Sequence, residues 1–264
     1  MTRKDAMTTP DHPQPGSNTT ADAVPRQFRA ALSALTSSQK SSRGAPAYSR
    51  FVNRPLGRRF AALAWVLRLR PNQVTLLSAA ATFAGIAVIA AAPPTLLVAV
   101  LVTVLLVVGY ALDAADGQLA RLGGGGSLSG EWLDHIVDAL KSSSIHAAVL
   151  ISWYRHFDLD PLMLLVPLGY QAVTAVFFFA MILTDLLRRL NRGGQGIIIR
   201  GTGPTSFLYS LAVIPADYGL LCLLFLTLFW QPGFVVLYTL LFAANALILA
   251  ASLVRWFREM SRLS

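Results

Sequence analysis

Cysteine is almost absent from the chain: Cys222 stands alone inside an apolar run, which excludes a disulfide framework and any thiolate metal site. Charge is scarce as well, at 13% of residues against roughly 25% in ordinary soluble domains, while 55% are hydrophobic. A soluble globular chain is thereby excluded. Acids are scarcest, with 13 Asp and Glu against 22 Lys and Arg, for a net charge of +9. Such a balance can serve nucleic acid, but apolar lipid-facing runs leave no surface for it. Anionic membrane lipids and phosphorylated substrates are the expected partners, with no nucleic acid. No apolar stretch of signal-peptide type precedes residue 60, and no repeat of solenoid period occurs.

What is present is a series of long apolar runs after Pro71, each near the roughly 20 residues that cross a hydrocarbon core. Six spans are expected at about 73–92, 95–113, 132–154, 162–187, 205–230 and 233–256, with short connections such as Pro93-Pro94 and Gln231-Pro232. The expected fold is therefore an all-α integral membrane protein. From Tyr48 to Leu69, Arg50, Arg54, Arg58, Arg59 and Arg68 alternate with Phe51, Phe60, Leu63, Trp65 and Leu67, which describes an interfacial amphipathic helix ahead of the first span. The stretch Met1 to Ser42, rich in Pro, Ser, Thr, Ala and Gln, reads as disordered, so residues 1–45 are expected to be a cytoplasmic tail and 46–264 the membrane domain. Arg121, Arg188, Arg189, Arg192, Arg200, Arg255, Arg258 and Arg262 fall on one side of such a topology and Arg155 on the other. The excess of arginine puts both termini in the cytoplasm of a multi-pass cell-membrane protein.

Between Asp22 and Asp158 the acids are only Asp113, Asp116, Glu131, Asp134 and Asp138, all within 26 positions. Carboxylates near membrane depth are costly unless paired, solvated or bound to cations. Asp113 and Asp116 are spaced i,i+3 at the cytoplasmic end of the second span. Asp134 and Asp138 are spaced i,i+4 at the start of the third, so each pair shares a helix face. The glycine run Gly123–Gly126 joins the two helices as antiparallel neighbours, so the four carboxylates converge just inside the cytoplasmic interface. Taken singly, each is readily a helix cap or a surface charge. Four together repel unless they are oxygen ligands of Mg²⁺ or Mn²⁺. Gly117, Ala120 and Gly130 leave room for close backbone approach, and Arg121 offers a fork for phosphate oxygens.

The run Asp113-Ala-Ala-Asp116-Gly117-Gln-Leu-Ala120-Arg121, followed by Gly130, Asp134 and Asp138, resembles the signature of the CDP-alcohol phosphatidyltransferase family, D-x2-D-G-x2-A-R-x8-G-x3-D-x3-D, at every fixed position. Pro71-Asn72-Gln73-Val74-Thr75 looks like the family's P-N-x-x-T at the start of the first span. The resemblance implies that Asp113, Asp116 and Asp134, helped by Asp138, hold two divalent cations. It implies that Gly117, Ala120 and Arg121 contact the CDP moiety together with Asp113 and Gly130, with Asn72 and Thr75 nearby. It further implies that Asp138 is the general base and that the protein is a homodimer. A base one turn deeper than Asp134, beside the metals, is well placed for the attacking hydroxyl.

Two assignments of donor and acceptor remain open. Lys141, one turn beyond Asp138, with Arg188, Arg189, Arg192 and Arg200, describes a basic pocket for a phosphorylated acceptor. That ranks CDP-diacylglycerol first as donor, with inositol phosphate or glycerol phosphate as acceptor. The segment Ser49 to Arg54 is similar to that of family members handling inositol phosphates. Against this, Gly130-Glu131-Trp-Leu-Asp134-His135-Ile-Val-Asp138 resembles the choline and ethanolamine phosphotransferases, which join a CDP-linked head group to a lipid alcohol, and there His135 is an auxiliary base. Asp217, near Pro215, marks either a helix break or a cavity wall. A transporter or a scaffold would also show intramembrane acids, but a transporter places them near the midplane of broken helices, not in one motif at one end.

Overall fold

A computed structural model describes residues 20–37, 46–191 and 214–263, and every regular element among them is helical. In chain order they are α1 (Thr20–Ser37), a π-helical turn (Ser49–Asn53), α2 (Arg54–Val66), α3 (Pro71–Ala91), α4 (Leu96–Leu122), α5 (Leu128–His156), a 3₁₀ turn (Pro161–Leu164), α6 (Leu165–Asn191), α7 (Tyr218–Leu224) between 3₁₀ turns Ile214–Ala216 and Phe225–Thr227, and α8 (Gln231–Leu263). Their ends follow local chemistry. Arg70 is extended, Pro71 opens α3, and the Arg70 N–H donates to Gln73 Oε1 at 2.8 Å. Thr95 caps α4 by accepting from the Val98 N–H, and Ser127 caps α5 by accepting from the Gly130 N–H. The turn between them needs glycine, because Gly124 (φ 95°) and Gly125 (φ 134°) lie where a side chain is strained.

Among the described residues four helices are long and apolar enough to cross a membrane: Pro71–Ala91, Leu96–Leu122, Pro161–Asn191 and Gln231–Leu263. The 21 residues of α3 measure roughly 31 Å, about the thickness of a hydrocarbon core. These four coincide with the first, second, fourth and sixth expected spans. The third coincides with α5, whose 29 residues are long enough but carry Asp134, Asp138, Lys141, Ser142, Ser143, Ser144 and His146, too polar for that class. Of the fifth, residues 205–213 lie outside the described residues, and the rest is the shorter apolar helix Tyr218–Thr227.

One expectation needs correcting. Residues 20–37, placed in the disordered tail, form α1, which packs on α2. Phe28, Ala31, Leu32 and Leu35 recur at helical spacing, and Ala31 and Leu35 are buried in a cluster with Ala61, Ala62 and Ala64 of α2. The apolar stripe outweighs the polar composition around it. α2 in turn buries Gly57, Ala61, Ala62 and Ala64 while leaving Leu63 and Trp65 exposed. A Cβ at Gly57 would sit 2.9 Å from Ala114 Cβ and 3.1 Å from the Ala111 carbonyl, so glycine lets α2 lie directly on α4.

A second correction concerns α4 and α5. Although the short turn joins them, the extensively packed pairs are α3 on α4, α2 on α4, α3 on α5, α5 on α6 and α6 on α8, and α4 with α5 is not among them. α3 packs on both, its Ser78 hydroxyl donating to the Gly109 carbonyl of α4 at 2.8 Å. A gap is left between α4 and α5 at their carboxylate-bearing ends. The rigid core lies at the opposite end, where Ile89, Leu106, Val149, Trp153, Phe225, Phe234 and Tyr238 interlock. His146 ties the middle, bonded to Tyr238 Oη at 2.7 Å and Thr174 Oγ1 at 3.0 Å and stacked on Tyr170.

Candidate active site

The carboxylate-bearing ends of α4 and α5 open into a cavity of about 290 Å³. Asp113, Asp116, Gly117 and Arg121 of α4 and Asp134 of α5 line one side, and Ser49, Asn53 and Arg54 of the segment leading into α2 line the other. α3 contributes from below, where buried Thr75 donates its hydroxyl to Asp116 Oδ2 at 2.6 Å. Asp116 is only 6% exposed, so this donor satisfies an oxygen that water scarcely reaches. Gly117 leaves its position open, with only Arg121 Nη1 (3.5 Å) near a would-be Cβ. Gly130 lies against Asn72, whose Oδ1 would be 3.1 Å from a Cβ there, so these two expected CDP contacts are neighbours. Ala120 is half-buried on the same helix.

On α5, ligand atoms of Asp134, His135 and Asp138 lie within 4.8 Å of one another, a grouping able to hold a metal ion. His135 also lies 3.9 Å from Glu131 and meets the Phe178 ring edge-on. Lys141, expected to meet an acceptor phosphate, is turned toward the carboxylates instead. Its Nζ is 2.5 Å from Asp113 Oδ1 and 2.7 Å from Asp138 Oδ1, and the residue is 6% exposed. The oxygen-rich donor set suits a hard divalent ion.

The arginines expected to form the acceptor pocket are engaged elsewhere or lie out of view. Arg188 pairs with Glu259 of α8 through Nε (2.7 Å) and Nη2 (2.6 Å). Arg189 pairs with Glu131 at 2.6 Å and Asp185 at 2.8 Å. These pairs clasp α6 to α8 and to α5. Arg192 and Arg200 lie outside the described residues.

The segment Ser49 to Arg54, singled out in the sequence only by resemblance, forms the second wall of the cavity. Asn53 is 3% exposed, and Gln118 Nε2 donates to the Arg54 carbonyl at 3.3 Å, which seats the wall on α4. Asp217 marks a helix break, extended between the 3₁₀ turn Ile214–Ala216 and α7, and is not among the residues that line this cavity. Its Oδ1 accepts from the Gly219 N–H and caps α7, and its Oδ2 accepts from the Ser49 N–H at 2.8 Å. The carboxylate thus ties the N-terminal wall to the C-terminal half. Tyr48, beside it, is stacked on Tyr110, and burial, with Cys222 and Asp217 nearby, pushes its hydroxyl above the ordinary tyrosine pKa.

Four helices able to cross a membrane and an aspartate-lined cavity at one end define a multi-pass membrane protein with an acidic site. A family model described as CDP-alcohol phosphatidyltransferase matches residues 68–258, and the chain belongs to that family of transferases. The family transfers phosphatidyl groups from CDP-alcohols in lipid synthesis and uses divalent metal ions. No match is found among curated proteins.

Proposed function

We propose that the protein transfers a phosphatidyl group from CDP-diacylglycerol to the hydroxyl of a small polar acceptor, an inositol phosphate or glycerol phosphate, and releases CMP. The observation that carries this is the convergence of Asp113, Asp116, Gly117, Arg121 and Asp134 on one cavity. In this reading six spans, with α5 as the third, and an interfacial α2 set the cavity at the cytoplasmic face of the cell membrane, with both termini on that side and the protein a homodimer.

Asp113, Asp116, Asp134 and Asp138 are the proposed ligands of two Mg²⁺ or Mn²⁺ ions. Bound there, the ions supply Lewis acidity to the attacked phosphoryl group and charge for the departing CMP. Arg121 and the open backbone at Gly117 receive the pyrophosphate, with Ala120, Gly130, Asn72 and Thr75 around the cytidine end. Asp138 takes the proton of the acceptor hydroxyl as its oxygen forms a bond to phosphorus and the bond to CMP breaks. The cavity's second wall, which carries Arg54, faces the same space and supports an anionic acceptor.

The grouping of His135 with Asp134 and Asp138 favours a second reading, a CDP-linked head group donated to a lipid alcohol. Purified protein in detergent with Mg²⁺ or Mn²⁺ separates the two. CMP released from CDP-diacylglycerol only with a phosphorylated polyol supports the first. Release only when diacylglycerol meets a CDP-linked head group reverses the donor.

A further inference from the structure

Lys141 is the only lysine among the described residues, in a chain whose other cations there are arginines. It is buried, yet its Nζ lies 2.5 Å from Asp113 of α4 and 2.7 Å from Asp138 of α5. These two helices are not a packed pair, so the ammonium bridges a gap that backbone packing leaves open. A lysine ammonium is a compact point charge on a flexible stem, closer to a metal ion than the planar fork of arginine. It can leave by rotating its own side chain. Thr75 supplies the matching neutral donor at Asp116, so each α4 carboxylate has a partner from the chain itself.

We propose that Lys141 is an internal counter-cation of the metal site, which holds Asp113 and Asp138 together in the ion-free protein and is displaced when a divalent ion binds. The role rests on the four-aspartate metal reading above and makes Lys141 a positioning residue: it sets how tightly the site takes its ions and keeps Asp138 aimed at the cavity while they are absent. Part of the binding energy of an ion is then spent in breaking the two ammonium contacts, so ion affinity is lower than the carboxylates alone would give.

The test is thermal melting and Mn²⁺ binding of the full-length protein in detergent, for the wild type, Lys141→Met and Lys141→Arg. In EDTA, Lys141→Met should melt lower than wild type, and saturating Mn²⁺ should return most of the loss, while Mn²⁺ binds about tenfold tighter or more. Lys141→Arg keeps the charge but carries a bulkier planar fork, so it should melt between wild type and Lys141→Met in EDTA and bind Mn²⁺ no more tightly than wild type. A melting loss of equal size in EDTA and in Mn²⁺ makes Lys141 an ordinary structural ion pair and overturns the proposal. Equal Mn²⁺ affinity in wild type and Lys141→Met also overturns it while leaving the metal reading intact. Absence of Mn²⁺ binding by either protein removes the metal reading, and the proposal with it. Should Lys141→Met not fold, the wild type still decides. An amine-reactive reagent mapped by mass spectrometry should modify Lys141 faster with Mn²⁺ than with EDTA, and an unchanged or slower rate at site-filling Mn²⁺ refutes displacement.

Discussion

Thr75→Val offers the sharpest probe of the site, because it removes one hydroxyl and almost no volume. The hydroxyl lies 2.6 Å from Asp116 Oδ2 and 3.2 Å from the Pro71 carbonyl, and the shorter contact to the charged acceptor takes its proton. Thr75 is 4% exposed and Asp116 6%, so little water reaches the contact to replace the lost donor. A hydrogen bond to a charged group contributes about 1.5–3 kcal/mol, and leaving the carboxylate oxygen unpaired forfeits it. For a chain of this size that is a fall in Tm of about 3–12 °C in EDTA. The same hydroxyl orients a proposed metal ligand, and loss of such a partner typically costs about 10–100-fold in metal affinity. The assay is melting in detergent with EDTA, then CMP release titrated with Mn²⁺, with Thr75→Ser as the variant that keeps the hydroxyl. Wild-type melting and metal dependence in Thr75→Val would refute the coupling. A raised KM for the CDP donor at unchanged metal dependence would limit Thr75 to the nucleotide end and refute its role in orienting Asp116.

Asp138→Asn should abolish turnover while CDP-donor binding persists, measured by single-turnover CMP release beside equilibrium binding; equal loss of both would deny it a distinct role as base. Gly57→Val should lower stability by about 1–3 kcal/mol, read from melting, because a side chain 2.9 Å from Ala114 wedges α2 off α4. Arg188→Ala should leave the KM for a phosphorylated acceptor unchanged, and a double-mutant cycle with Glu259→Ala should show a coupling of about 0.2–1 kcal/mol for this part-exposed pair. A severalfold rise in that KM would restore Arg188 to the acceptor pocket.

Much of the candidate site was legible in the chain because its signals are local. The spacing of Asp113 to Asp116 and of Asp134 to Asp138 lies within single helices, so a face is shared whatever the helices do next. The same holds for Gly117 and Arg121, one turn apart on α4. Four spans were legible because length and hydropathy are properties of the segment alone. α5 was located but sits below that hydropathy class, since the polar residues that build the site dilute it.

Composition, the aspartate pattern and the helical spans were determined by the sequence itself, through terms that act within one turn or one helix. Tertiary structure alone decided that α3 packs on both α4 and α5, that α1 is folded onto α2, and that Asn53 and Arg54 face the aspartates. It also decided which carboxylate each cation meets, giving Lys141 to Asp113 and Asp138 and Arg188 to Glu259. The reason is physical: packing decides which opposite charge comes within reach, however distant in sequence, and a buried charge such as Lys141 has no solvent to take its place.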